Sequence, residues 1–156
     1  MVEKLKMIWQ DAKQLKDERG LTLVELLVVV VILGIIAAIA VVAIGGIIEN
    51  SKKDAMVADA RQMVSAAKLY TASNPVSTDT TMKFAGTTGS VDGTQYVDNL
   101  KDPFTDSAGY TTAYVTIKPA SGKYTYSVNV IGTKFKLDAA DESAVKKANL
   151  NAVTTP

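Results

Sequence analysis

The chain has no cysteine and no histidine. Those two absences together remove disulfides, thiolate and Cys/His zinc centres, and imidazole acid-base chemistry. An enzyme built on this chain would have to work with carboxylates, Lys, Tyr or Ser. No nucleophile elbow, Walker loop, dinucleotide fingerprint or EF-hand spacing occurs either, so the reading is of a protein that is not an enzyme. Proline is scarce, with four in 156 residues and none before Pro75, so nothing in that long stretch breaks a helix by deleting a backbone donor. Charge of one sign is lacking too. The net charge is +1, and the first twenty residues set Lys4, Lys6, Lys13, Lys16 and Arg19 against Glu3, Asp11, Asp17 and Glu18, leaving twelve basic and twelve acidic side chains beyond them. With no Lys/Arg cluster to neutralise phosphates, no dedicated nucleic-acid binding is expected.

What the chain does have is one long apolar run. Leu21 to Ile48 is 28 residues with a single charge, Glu25. As a helix it spans about 42 Å at 1.5 Å per residue, more than the roughly 30 Å of a bilayer's hydrocarbon core. Nineteen of these residues are Leu, Ile or Val, and they favour insertion by about 6 to 11 kcal/mol. The run is too long for a secretory signal's apolar region. It also has too many apolar faces for the hundred or so remaining residues to bury as a core helix. The five basic residues before it outnumber Lys52, Lys53, Arg61 and Lys68 in a similar stretch after it, an asymmetry that favours an inside N-terminus. Ahead of the run, Leu5, Ile8, Trp9, Ala12 and Leu15 recur at helical spacing. That spacing reads as an amphipathic helix on the inner membrane surface, with a solvated tail as the alternative.

Arg19-Gly20-Leu21-Thr22-Leu23-Val24-Glu25-Leu26-Leu27, followed by the apolar stretch Val28 to Ala40, resembles the class III signal of type IV pilins and their pseudopilin relatives. The resemblance implies cleavage by a prepilin peptidase between Gly20 and Leu21 on the cytoplasmic side, N-methylation of Leu21, and a role for Glu25 in filament assembly. Three departures stand out: Leu21 where the family most often has Phe, a leader of twenty residues, and Val42 where many relatives have Pro. Gly45-Gly46 then becomes the expected weak point of the helix, at about 1 kcal/mol per Gly relative to Ala. Glu25 can also be argued from physics alone. A carboxylate inside an apolar run costs up to about 2.5 to 3.5 kcal/mol at the membrane centre and needs a partner. After cleavage the Leu21 ammonium of a neighbouring subunit would supply one and set axial register. The alternative is a side chain that snorkels to the headgroups and gains from the helix dipole.

The remaining chain reads as one small head. Ala-, Lys- and Met-rich sequence carries the helix out to about Ser73, with Ala55, Ala58, Met63, Ala66, Ala67 and Tyr70 as the stripe that holds the head. Residues 74–111 read as a loop region. Thr112 to Lys118, Lys123 to Ile131 and Lys134 to Leu137 alternate with period two and read as antiparallel strands, turned at Pro119-Ala120-Ser121-Gly122 and at Gly132-Thr133. A short helix is expected over Asp138 to Asn149. The expected fold class is α+β: a long N-terminal helix packed on a small antiparallel sheet of three to four strands, the pilin fold that the resemblance implies. The expected organisation is a removed leader 1–20, a transmembrane and filament-core helix 21–48, an amphipathic helix 49–73 and a globular head 74–156 with its sheet at 112–137 and a C-terminal segment 138–156.

No cofactor is expected, apart from calcium at Asp98, Asp102 and Asp106, which could converge as hard-oxygen ligands; in the competing role these Asp residues start turns. The functional expectation is a structural subunit of a type IV pilus, used for adhesion, motility or DNA uptake. Its implied partners are copies of itself, the prepilin peptidase, an assembly platform with minor pilins, and membrane lipid before assembly. It would sit in the inner membrane with its leader cytoplasmic and its head outside, then in an extracellular filament. The alternatives are a pseudopilin of a type II secretion or competence system and a single-span membrane protein that never polymerises.

Overall fold

A computed structural model describes residues 1–18, 22–98 and 100–154, with the side chains of 14–18 left aside. The chain divides into two units, Met1–Gly46 and Ile47–Pro156. The first contains helix α1, Val2–Glu18, and the opening part of helix α2, Leu23–Ser73. With no Pro inside it and residues of good helix propensity beyond the β-branched run, α2 is continuous over 51 residues. Its end coincides with Asn74-Pro75, where the ring of Pro75 disfavours helical geometry for the residue before it.

In the second unit the outer part of α2 packs on a six-stranded mixed sheet in the order β2-β1-β3-β4-β5-β6. The strands are β1 Thr80–Ala85, β2 Val91–Asp92, β3 Thr112–Ala120, β4 Lys123–Ile131, β5 Phe135–Asp141 and β6 Asn151–Ala152. Only the β1–β2 pair is parallel. The class is α+β as expected, but the strand count exceeds three to four because β1 and β2 lie inside the expected loop and β6 inside the expected tail. In β1 only Met82 and Phe84 point fully inward, two apolar residues set among Thr and Lys, so the alternation is too short to stand out. The expected C-terminal helix is corrected: β5 runs on to Asp141, and two 3₁₀ turns, Glu142–Ala144 and Lys147–Asn149, follow. Ladder pairing with β4 outweighs the helix propensity of the Ala-Ala-Asp-Glu segment.

The β3–β4 hairpin turns on Ser121 and Gly122, both with positive φ (43° and 83°), the pattern of a two-residue type I′ turn. Pro119 sits within β3 but beyond Ile117, the last β3 residue that β1 pairs, so its missing N–H faces no neighbouring strand. The next turn is at Thr133-Lys134, one residue later than expected, because Gly132 N–H bonds the carbonyl of Phe135 at 3.0 Å. Between Val128 and Val130 a bulge sets two β5 residues, Asp138 and Ala139, against Asn129, and Ala139 takes φ 37°.

The core lies between Met56, Ala60, Met63, Val64 and Ala67 of α2 and Met82, Val115, Ile117, Val128, Val130 and Leu137 of the sheet. The helix stripe therefore runs through Met56, Val57 and Ala60, while Ala55 and Ala58 are exposed. At 3.6 residues per turn the three larger apolar residues, Met56, Met63 and Val64, decide which face turns inward. Tyr126 and Tyr124 reach the end of α2 from β4. The Tyr126 hydroxyl lies 2.7 Å from Thr71 Oγ1, and the Tyr124 hydroxyl accepts the Val76 N–H at 3.0 Å.

Candidate functional site

Two places concentrate chemistry, and each lies within one unit. At the start of α2, Thr-Leu-Val-Glu folds into a reciprocal cap. The Thr22 N–H donates to Glu25 Oε2 at 2.8 Å and the Thr22 hydroxyl to the same oxygen at 3.1 Å, while Glu25 N–H donates back to Thr22 Oγ1 at 3.4 Å. The first N–H groups of a helix have no acceptor within it, and a Thr followed three residues later by Glu supplies acceptors for two of them. This cap was not among the features expected from the sequence, although its signal, Thr-x-x-Glu before an apolar run, is present. A carboxylate has about four lone-pair positions, so bonds gathered on one oxygen leave capacity for an external cation. Gly20 and Leu21, the expected cleavage and methylation residues, lie outside the described residues.

Behind this cap the helix offers no polar surface. From Leu23 to Ile48 every Leu, Ile and Val is exposed, between 46% and 85%, and none of the most apolar stretch is buried within the chain. Such a surface needs lipid or other chains around it.

The second place is where the head joins α2, just past Ile48. Glu49 accepts from Lys53 at 3.0 Å and from Lys134 of the β4–β5 turn at 2.7 Å. These bonds, that to Lys134 first, hold its carboxyl below its ordinary value. Lys53 Nζ lies 4.3 Å from the centre of the Phe135 ring, which packs 5.0 Å from Phe104. Exposed pairs of this kind are screened by water and add little stability, so they orient the turn more than they stabilise it.

Asp102, a candidate calcium ligand, is instead a buried bracket for the same turn. It is 1% exposed, and its carboxylate accepts the N–H of Phe104 at 2.9 Å and of Thr133 at 2.6 Å. A Cβ on Gly132 would lie 2.9 Å from Asp102 Oδ2, so the turn needs glycine there. Asp98 and Asp106 are exposed, and among the described residues no three acidic side chains gather to hold a metal. Deeper in the head, Asp59 of α2 accepts the Tyr110 hydroxyl at 2.6 Å. Burial pushes the Asp59 carboxyl up, and the bond from Tyr110 opposes that rise. Burial raises the Tyr110 phenol, with the Asp59 bond adding to it.

Residues 15–41 match the family described as the prokaryotic N-terminal methylation motif, the class III signal of type IV pilins and pseudopilins. The match supports a pilin-like or pseudopilin protein. No curated protein and no solved structure matches the chain.

Proposed function

We propose that this chain is a structural subunit of a type IV pilus, cut between Gly20 and Leu21 by a prepilin peptidase, N-methylated on Leu21, and polymerised through α2 into a surface filament. The observation that carries the reading is the methylation motif leading directly into a helix that is apolar on every face as far as Ile48 and that none of the described residues covers. In the membrane, lipid covers that surface. In a filament, the same surface of neighbouring subunits replaces lipid, so the helix is extracted without meeting water. Glu25 keeps its bonds to Thr22 and accepts the Leu21 ammonium of a neighbour, which sets the axial register between subunits. The head, held by packing without disulfides, forms the filament's outer surface.

The test is to shear cells expressing the wild-type chain and a Gly20→Val variant. The expected result is wild-type chain in the sheared fraction as a high-mass polymer and the variant only in the membrane. Abundant wild-type polymer favours a long pilus over a short pseudopilus. Equal shedding of both proteins, or of neither, would contradict the proposal.

A further inference from the structure

Helix α1, Val2–Glu18, precedes the proposed cleavage residues and carries an apolar face with no partner among the described residues. Val2, Leu5, Ile8 and Trp9 are each 65% to 71% exposed. At about 100° per residue these four and Ala12 fall within one arc of roughly 120°. Lys6 and Lys13 border that arc on one side and Lys4 on the other, position 16, also Lys, falls within it near the helix end, and the four acidic positions, Glu3, Asp11, Asp17 and Glu18, lie further round, beyond the bordering lysines. Lys13 Nζ sits 5.7 Å from the centre of the Trp9 ring, folded toward the apolar face. Lysines at the borders of an apolar arc, with acids kept away from it, match a phospholipid surface: the alkyl stems lie along the acyl boundary and the ammonium groups rise to the phosphates. Leu23 opens α2 only five residues after Glu18, so a chain reaching at most about 18 Å joins the end of α1 to the apolar helix.

We propose that α1 is an interfacial helix that docks on the anionic phospholipids of the leaflet its end of the chain faces. The precursor then has two membrane attachments, and leader removal deletes one of them. This rests on the reading of Leu21 to Ile48 as a membrane span.

Trp9 is the only tryptophan in the chain, so its fluorescence reports α1 alone. The full-length chain, made without prepilin peptidase, is reconstituted into phosphatidylcholine vesicles with and without phosphatidylglycerol, and vesicle flotation is measured alongside Trp9 emission. With phosphatidylglycerol, Trp9 should be blue-shifted, shielded from iodide and quenched by brominated lipid. Lys4→Gln, Lys6→Gln and Lys13→Gln leave the apolar face intact, and each should lower the ratio of docked to free helix about five-fold. A chain that floats while Trp9 stays iodide-accessible in both lipids would overturn the docking alone. Trp9 shielded from iodide yet unquenched by brominated lipid would mean that protein covers the face, and would overturn it too. A chain that does not float would overturn the membrane-span reading itself.

Discussion

Replacing Glu25 by Gln and by Ala separates its two roles. The Glu25 carboxylate receives the Thr22 N–H at 2.8 Å within its own chain, and in the proposed filament it also neutralises a neighbour's ammonium. Gln can serve as the third residue of a capping box, so Glu25→Gln keeps an acceptor for Thr22 and loses only the charge. Losing the cap as well, in Glu25→Ala, costs about 1 kcal/mol at the helix end. Removing one partner of an ion pair held away from water costs about 3 to 5 kcal/mol, or roughly two to four orders of magnitude at each interface. The charge therefore dominates, and the two variants should behave alike: cut, membrane-embedded and almost absent from sheared material. Immunoblots of sheared and membrane fractions, with leader removal read from the mobility shift, measure this directly. If Glu25→Gln assembles normally while Glu25→Ala does not, the cap is the whole function of Glu25 and the pairing argument is wrong. Normal filaments from both would remove any assembly role.

Asp102→Ala removes the buried acceptor that the Phe104 and Thr133 N–H groups share, at about 1 kcal/mol for each hydrogen bond lost, so thermal melting in detergent should fall by roughly 5 to 10 °C. Asp102→Asn, which keeps one carbonyl oxygen, should lose about half as much. Ala139→Gly relieves a φ of 37° on a non-glycine residue and should stabilise the head by roughly 0.5 to 1 kcal/mol in denaturant melts. Acidification sets carboxyl groups shifted in opposite directions against each other. Glu49, held below 4.5 by Lys134 and Lys53, and Asp138, held below 3.8 by Lys136, contribute stability that is present above those ordinary values and lost as pH falls through the lowered ones. Asp59, raised by burial above 3.8, contributes stability that is full below 3.8 and lost as pH rises through its raised value. Asp59→Asn should therefore melt with a steeper loss than wild type between about pH 6 and about pH 3, and a parallel profile would contradict the sign assigned to Asp59.

The parts legible in the sequence were those whose signal is local. Arg19 to Leu27 and the apolar run speak through composition alone, and β3 and β4 through nine-residue alternations in which Val115, Ile117, Val128 and Val130 fall inward. What escaped depends on distant partners. Asp102 does start a turn, accepting the Phe104 N–H with its side chain and the Thr105 N–H with its carbonyl, but its burial and its second donor, Thr133, 31 positions away, carry no local signal. The extension of β5 to Asp141 depends on a bulge opposite Asn129, which no periodicity announces. β2 and β6 are two residues long, below the length at which alternation carries information. The Thr22–Glu25 cap is different in kind. Its pattern was local and readable, but attention to the charge of Glu25 obscured its use as a hydrogen-bond acceptor.

Processing at Gly20 followed by polymerisation is tested most directly by the intact mass and N-terminal sequence of the protein from sheared surface material and from the membrane. The expected result is a chain beginning at methylated Leu21 in the sheared polymer. A chain that still carries Met1 to Gly20 and is found only in the membrane would contradict it.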